Sequence, residues 1–121
     1  MNETPNTKPQ SGDSFTVEVL RSERPVLVEF WAPWSRPCQV MNSTVEEIRA
    51  ACADKMKVVQ VNADDDPELG VLYDIRSIPT LLYFMDGIPR ARIVGTASKE
   101  AILSRLDMVS QEAGAGAPGL H

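Results

Sequence analysis

A chain of 121 residues, 43% apolar and 24% charged, has room for one soluble globular domain with a modest core and excludes a two-domain arrangement. Twelve Lys and Arg against seventeen Asp and Glu leave a net charge of −5, which repels phosphate backbones and anionic lipid, so neither nucleic acid nor a membrane is an expected partner. The single histidine is His121, the last residue, and the only cysteines are Cys38 and Cys52, so a Ser-His or Cys-His nucleophilic site and a tetrahedral zinc site are both excluded, and no metal is expected.

Residues 1–12 carry no large apolar side chain after Met1 and read as a disordered leader, with no strand before Asp13 and no signal peptide. The expected location is cytoplasmic, where thiols stay reduced and the cysteines are reactive or inert rather than stapling. Residues 13–110 form the expected domain. Asp13 caps a short helix carrying Phe15, Val19 and Leu20, in which Thr16 and Val17 lower the propensity. VLVEFW after Pro25 reads as a buried central strand interrupted by Glu29. A helix opens at Ser35, with Pro37 in its first turn and Met41, Val45, Ile48 and Cys52 on one face.

MKVVQV (residues 56–61) is a second strand. The acids Asp64, Asp65 and Asp66 suggest a metal loop or a helix start, and Asp66 at the N-cap before Pro67 is the cheaper account. TLLYFM leads into an Asp86-Gly87 hairpin turn, and residues 88–94 return as an edge strand marked by Pro89. Ser98 opens a last helix with Ile102, Leu103, Leu106 and Val109 on one face, and the Gly- and Ala-rich residues 111–121 read as a flexible tail.

Strands alternating with helices imply an α/β fold. WAPWSRPC (31–38), set between a strand and a helix start, together with VNADDDPEL, IRSIPTLLYF and Val94-Gly95, resembles the thioredoxin family from about Asp13 to Val109. The resemblance implies a thioredoxin-like three-layer fold, a mixed central sheet flanked by helices. In that family a Cys-x-x-Cys pair stands at this junction. The first thiolate is favoured by the free N–H groups and dipole of the helix N-terminus, and the second lies one turn further in. Here Ser35 takes the first position, a hydroxyl that does not ionise near neutral pH and reads as the helix N-cap.

Cys38 matches the resolving cysteine and is expected to be buried. Cys52 lies fourteen residues further along the helix, roughly 20 Å at ~1.5 Å per residue, so it cannot pair with Cys38 and reads as a small hydrophobe on the apolar face. Glu29 stands where the family keeps a buried carboxylate, the implied proton acceptor for the resolving thiol; burial is expected to raise its pKa. The lysine that the family often pairs with it is Gln60 here, which suits a hydrogen bond to a protonated Glu29. Pro79 matches a cis-proline that leaves backbone free for an extended substrate, beside Trp34, Arg36, Pro37, Ile78 and Gly95. Trp31 fits the core and this patch equally. Ser43 replaces a kinking proline, so the helix is expected to run straighter.

The implied function is thiol-disulfide exchange on protein thiols or disulfides, limited to single-thiol chemistry through Cys38, with catalytic roles for Cys38, Ser35 and Glu29. A reductant of the thioredoxin-reductase type is an implied partner, and no cofactor is implied. The same residues fit two alternatives: a redox-inactive peptide-binding module, and an engineered Cys-to-Ser variant of an active thioredoxin.

Overall fold

The computed structural model describes residues 12–116. A one-turn helix α1 (Gly12–Phe15) widens into a π-helical turn (Thr16–Leu20), and the chain then forms β1 (Val26–Trp31), α2 (Arg36–Ala51), β2 (Lys57–Asn62), α3 (Pro67–Leu72), β3 (Thr80–Met85), β4 (Ile88–Val94) and α4 (Lys99–Gly116). The expected elements are present, with shifted ends. α1 begins at Gly12, which puts Asp13 inside the helix rather than at its cap. The Arg21 amide reaches Thr16 O at 2.8 Å, the wide turn that carries both Phe15 and Val19 into the core. α4 continues to Gly116, past the residue 111 at which a tail was expected, because Ala113 and Ala115 favour helix over the linker conformation their glycine neighbours suggest. The expectations for residues before Gly12 lie outside the described residues.

The sheet order is β2-β1-β3-β4, with β1 and β2 parallel and the other pairs antiparallel, so β1 is central and buried on both faces. That burial explains the near-continuous apolar run of VLVEFW. The two-residue turn places both Asp86 (φ 55°) and Gly87 (φ 77°) in the left-handed region, as a tight hairpin requires. A side chain at Gly87 would meet Leu20 O at 2.7 Å.

Alternate residues of the strands feed two cores. Val26, Val28 and Phe30 face Phe15 and Val19 of the first turns and Leu69 of α3, whereas Leu27 and Leu81 face Met41, Val45 and Ile48 of α2 and Ile102 and Leu106 of α4. Ser98 Oγ accepts from the Ala101 amide at 3.1 Å and caps α4, as expected. No helix among the described residues is long and apolar enough to cross a membrane.

Candidate functional site

The β1-α2-β2 crossover between parallel strands brings the carboxyl end of β1 against the first turn of α2, with the exit of β2 beside it. Ala63 donates to Trp31 O at 2.8 Å and locks the two exits together. Ser35 is the N-cap of α2: its Oγ accepts from the Cys38 amide at 3.3 Å, and Pro37 sits in the first turn. This hydroxyl satisfies one of the open N–H groups at the helix start, the role read from the sequence. Cys38 lies beneath that turn with 0% exposure, and among the described residues both cysteines are free thiols. Cys52 is half-buried rather than buried, because α2 stops at Ala51 and leaves it at the C-cap.

Glu29 also has 0% exposure, on the face of β1 that α2 and α4 cover. Gln60, its neighbour in the β1/β2 register, donates Nε2 to Glu29 Oε1 at 2.8 Å. On the other side, the Asn42 amide faces Glu29 Oε2 at 3.2 Å and Cys38 O at 3.0 Å, and with Nδ2 toward them it donates to both. Arg49 donates to Gln60 Oε1 at 3.2 Å and to Val58 O at 2.9 Å, and pairs with Glu46 at 3.3 Å. Burial pushes the Glu29 pKa up from 4.5 to about 6; the Gln60 bond pulls it down, Glu46 raises it and Arg49 lowers it. The raised value matches expectation. The expected Gln60 hydrogen bond is present, and Asn42 adds a second amide donor on the other oxygen.

Trp34, Ser35, Arg36, Pro37 and Ile78 line a groove of about 900 Å³ bounded on its far side by Pro67 and Val71 of α3. Trp34 is 69% exposed and donates Nε1 to Asp64 Oδ2 at 2.7 Å, so an acid of the run after β2 fixes the indole, while Asp66 occupies the α3 N-cap position with Pro67 in its first turn. Trp31 is half-buried. The Ile78-Pro79 peptide is cis. Pro79 is buried and its carbonyl accepts from Gly95, which has φ 86°, at 2.9 Å. Pro79 and Gly95 are joined to each other behind Ile78 and do not themselves line the groove, and neither do Glu29 or Cys38. α2 runs unbroken through Ser43, whose hydroxyl donates to Val40 O at 3.3 Å. Among the described residues no three His, Cys, Asp or Glu side chains gather as a metal site.

Asn42, Arg49 and Asp64 escaped the sequence reading. Asn42 left one signal, a polar amide inside a helix one turn beyond Cys38, where asparagine is a poor helix former. Asp64 and Arg49 left none, because the partners that give them these roles, Trp34 and Gln60, lie on other elements.

A four-stranded mixed sheet with helices on both faces, a helix-capping site at the carboxyl end of its central strand and a cis-proline at the start of the neighbouring strand define a thioredoxin-like α/β protein. The family model for thioredoxin matches residues 6–108. The chain is 46% identical over 93 residues to thioredoxin of Griffithsia pacifica, covering 77% of this chain and 85% of that one. It is 46% identical over 94 residues to thioredoxin 1 of Synechococcus elongatus, covering 78% and 88%. With thioredoxin of Mycolicibacterium smegmatis it shares 41% over 108 residues, covering 88% and 96%. The chain belongs to the thioredoxin family.

Proposed function

We propose that this chain binds extended segments of proteins carrying thiols or disulfides in the groove beside Trp34 and Ile78, and that Cys38 is its one site thiol, capable of a single exchange and not of dithiol turnover. The observation that carries the reading is the Ser35-Cys38 turn: a capping hydroxyl stands at the helix N-terminus, and the thiol lies wholly beneath it. Were Cys38 uncovered, its thiolate would attack a disulfide R–S–S–R′, forming Cys38–S–S–R and releasing R′–S⁻. The adduct then persists, since release needs a second thiol within reach and Cys52 stands at the far end of α2. Glu29 supports this step as the buried acceptor of the Cys38 proton. Arg36 and Pro37 belong to the same groove, Pro79 and Gly95 act from behind it by setting the chain at Ile78, and the setting is cytoplasmic with a thioredoxin-reductase-type reductant as partner.

The 0% exposure of Cys38 favours a second reading, a groove that binds without any exchange. Mass spectrometry after incubation with glutathione disulfide separates the two. An adduct lost in Cys38→Ala and kept in Cys52→Ala supports exchange; an adduct absent or confined to Cys52 leaves only binding. In dithiothreitol-driven reduction of a protein disulfide the chain is expected to show no turnover, and Ser35→Cys to supply it, because the new thiolate would stand at a helix N-terminus within one turn of Cys38. If the thiol introduced by Ser35→Cys forms no disulfide with Cys38 under oxidising conditions, the family geometry does not apply to this turn.

A further inference from the structure

Glu29 is held by two amides that reach it from different elements. Gln60 arrives along β2 and is fixed in orientation, since its own oxygen accepts from Arg49 at 3.2 Å. Asn42 arrives from α2, and its two amide hydrogens are matched to two oxygens, Glu29 Oε2 at 3.2 Å and Cys38 O at 3.0 Å. The opposite orientation of Asn42 would set its oxygen against both. The pair of donors therefore fits a carboxylate that accepts on both oxygens, and a proton on Glu29 turns one of those oxygens into a hydroxyl, a weaker acceptor for the amide that faces it. Turning Gln60 would also break its bond with Arg49, so the proton is accommodated on Oε2, on the Asn42 side. There the weakened Asn42 bond alters the hold of the same amide on the Cys38 carbonyl.

We infer that Asn42 is a positioning residue that couples the protonation of Glu29 to the first turn of α2 at Cys38. The inference deepens the exchange reading above, in which Glu29 takes the Cys38 proton, by naming the side chain that links the two. The charged groups bearing on Glu29 come from α2, namely Glu46 and Arg49, and the Cys38 backbone carbonyl shares the Asn42 amide with it. β2 supplies the neutral Gln60, and β3 and α4 turn Leu81, Ile102 and Leu106 to this face of the sheet.

The test is a carboxyl and carbonyl ¹³C NMR titration of the full chain. In the native protein the Glu29 carboxyl is expected to titrate at about 6, and the Cys38 carbonyl resonance to shift with the same midpoint. Asn42→Ala is expected to raise the Glu29 midpoint by about one pH unit, through loss of a hydrogen bond to the ionised form, and to remove that midpoint from the Cys38 carbonyl. Alanine is the residue best suited to a helix interior, so the fold is retained. Asn42→Asp, which sets a like charge against Glu29, raises the midpoint further than alanine does. Ser43→Ala, one residue along on the exposed side, changes neither resonance. A Glu29 midpoint unmoved in both Asn42 variants, or a Cys38 carbonyl that still follows Glu29 in Asn42→Ala, overturns the assignment. Neither resonance depends on Cys38 reacting. A chain that forms no Cys38 adduct with glutathione disulfide therefore removes the exchange reading alone, and an unmoved midpoint removes Asn42 alone.

Discussion

On the face of the sheet covered by α1 and α3, Val26, Val28 and Phe30 of β1 meet an aromatic cluster in which Phe15, Tyr73 and Phe84 pack with ring centroids 5.4 to 5.9 Å apart, two of the three pairs edge to face. On the face covered by α2 and α4, the alternate residues of the same strand are Leu27 and Glu29, and the carboxyl draws Gln60, Asn42 and Arg49 into a polar line through otherwise apolar packing. One strand thus serves a dry face that holds the fold and a face that gives up packing to keep an ionisable group beneath the site. The period of two along β1 makes this division possible, and a register slip of one residue would exchange the two faces.

The sharpest way to break the contrast is on the dry side. Phe84→Ala leaves a cavity among the rings of Phe15 and Tyr73, and is expected to cost ~3–5 kcal/mol in urea denaturation while leaving the Glu29 titration in place. On the polar side the sign is opposite and depends on pH. The native Glu29 pKa of about 6 lies above its ordinary 4.5, so the folded state binds the proton more readily than the unfolded chain. The stability that this proton supplies is fully present below the ordinary value and is lost as pH rises through about 6. Glu29→Gln has no such proton to lose. Its stability relative to the native chain should therefore rise by about 2 kcal/mol between about pH 4 and pH 7.5, at ~1.36 kcal/mol per pH unit of displacement. A difference that stays flat across that range would place Glu29 in a more polar setting than its burial gives.

Smaller effects belong to the rim where the two faces meet. Ser35→Ala removes the α2 cap and should cost about 1 kcal/mol, whereas Ser35→Asp should retain most of it. Asp64→Ala frees the Trp34 indole. The expected stability change is about 0.5 kcal/mol for an exposed hydrogen bond, with a measurable fall in tryptophan fluorescence anisotropy.

The fold was legible because its signals are local. VLVEFW, the stripe of α2, the Asp86-Gly87 turn and the Ser98 cap each declare an element within a few residues, and the pattern around WAPWSRPC tied them to a family. Local structure at the candidate site was legible where the family supplied positions: the Ser35 cap, the burial of Cys38 and Glu29, and the cis bond before Pro79. It was silent where a partner arrives from another element. Asp64 was assigned to a helix start because Trp34 is thirty residues away, and Asn42 lies one position off the apolar stripe, which gives it meaning only once Glu29 is known to lie under α2. The start of the domain failed for a different reason: a π turn and an α turn bury similar residues, and propensity does not separate them.

Arg49 ends the polar line from Glu29, and its bond to Val58 O reaches beyond the site. Lys57 and Ala63 donate inward to Pro25 and Trp31 on the β1 side, so by strand alternation Val58 and Gln60 turn their backbone groups outward, along what is an edge of the sheet among the described residues. An outward carbonyl invites a strand from another molecule. Here that acceptor is already occupied by a guanidinium whose charge is unwelcome between paired strands, with Lys57 adding a second cation at the same end. The side chain that anchors Gln60 beside a buried acid also guards the sheet against growing by accretion, so Arg49→Ala should reveal itself first as loss of colloidal stability at high concentration, ahead of any change in thiol chemistry.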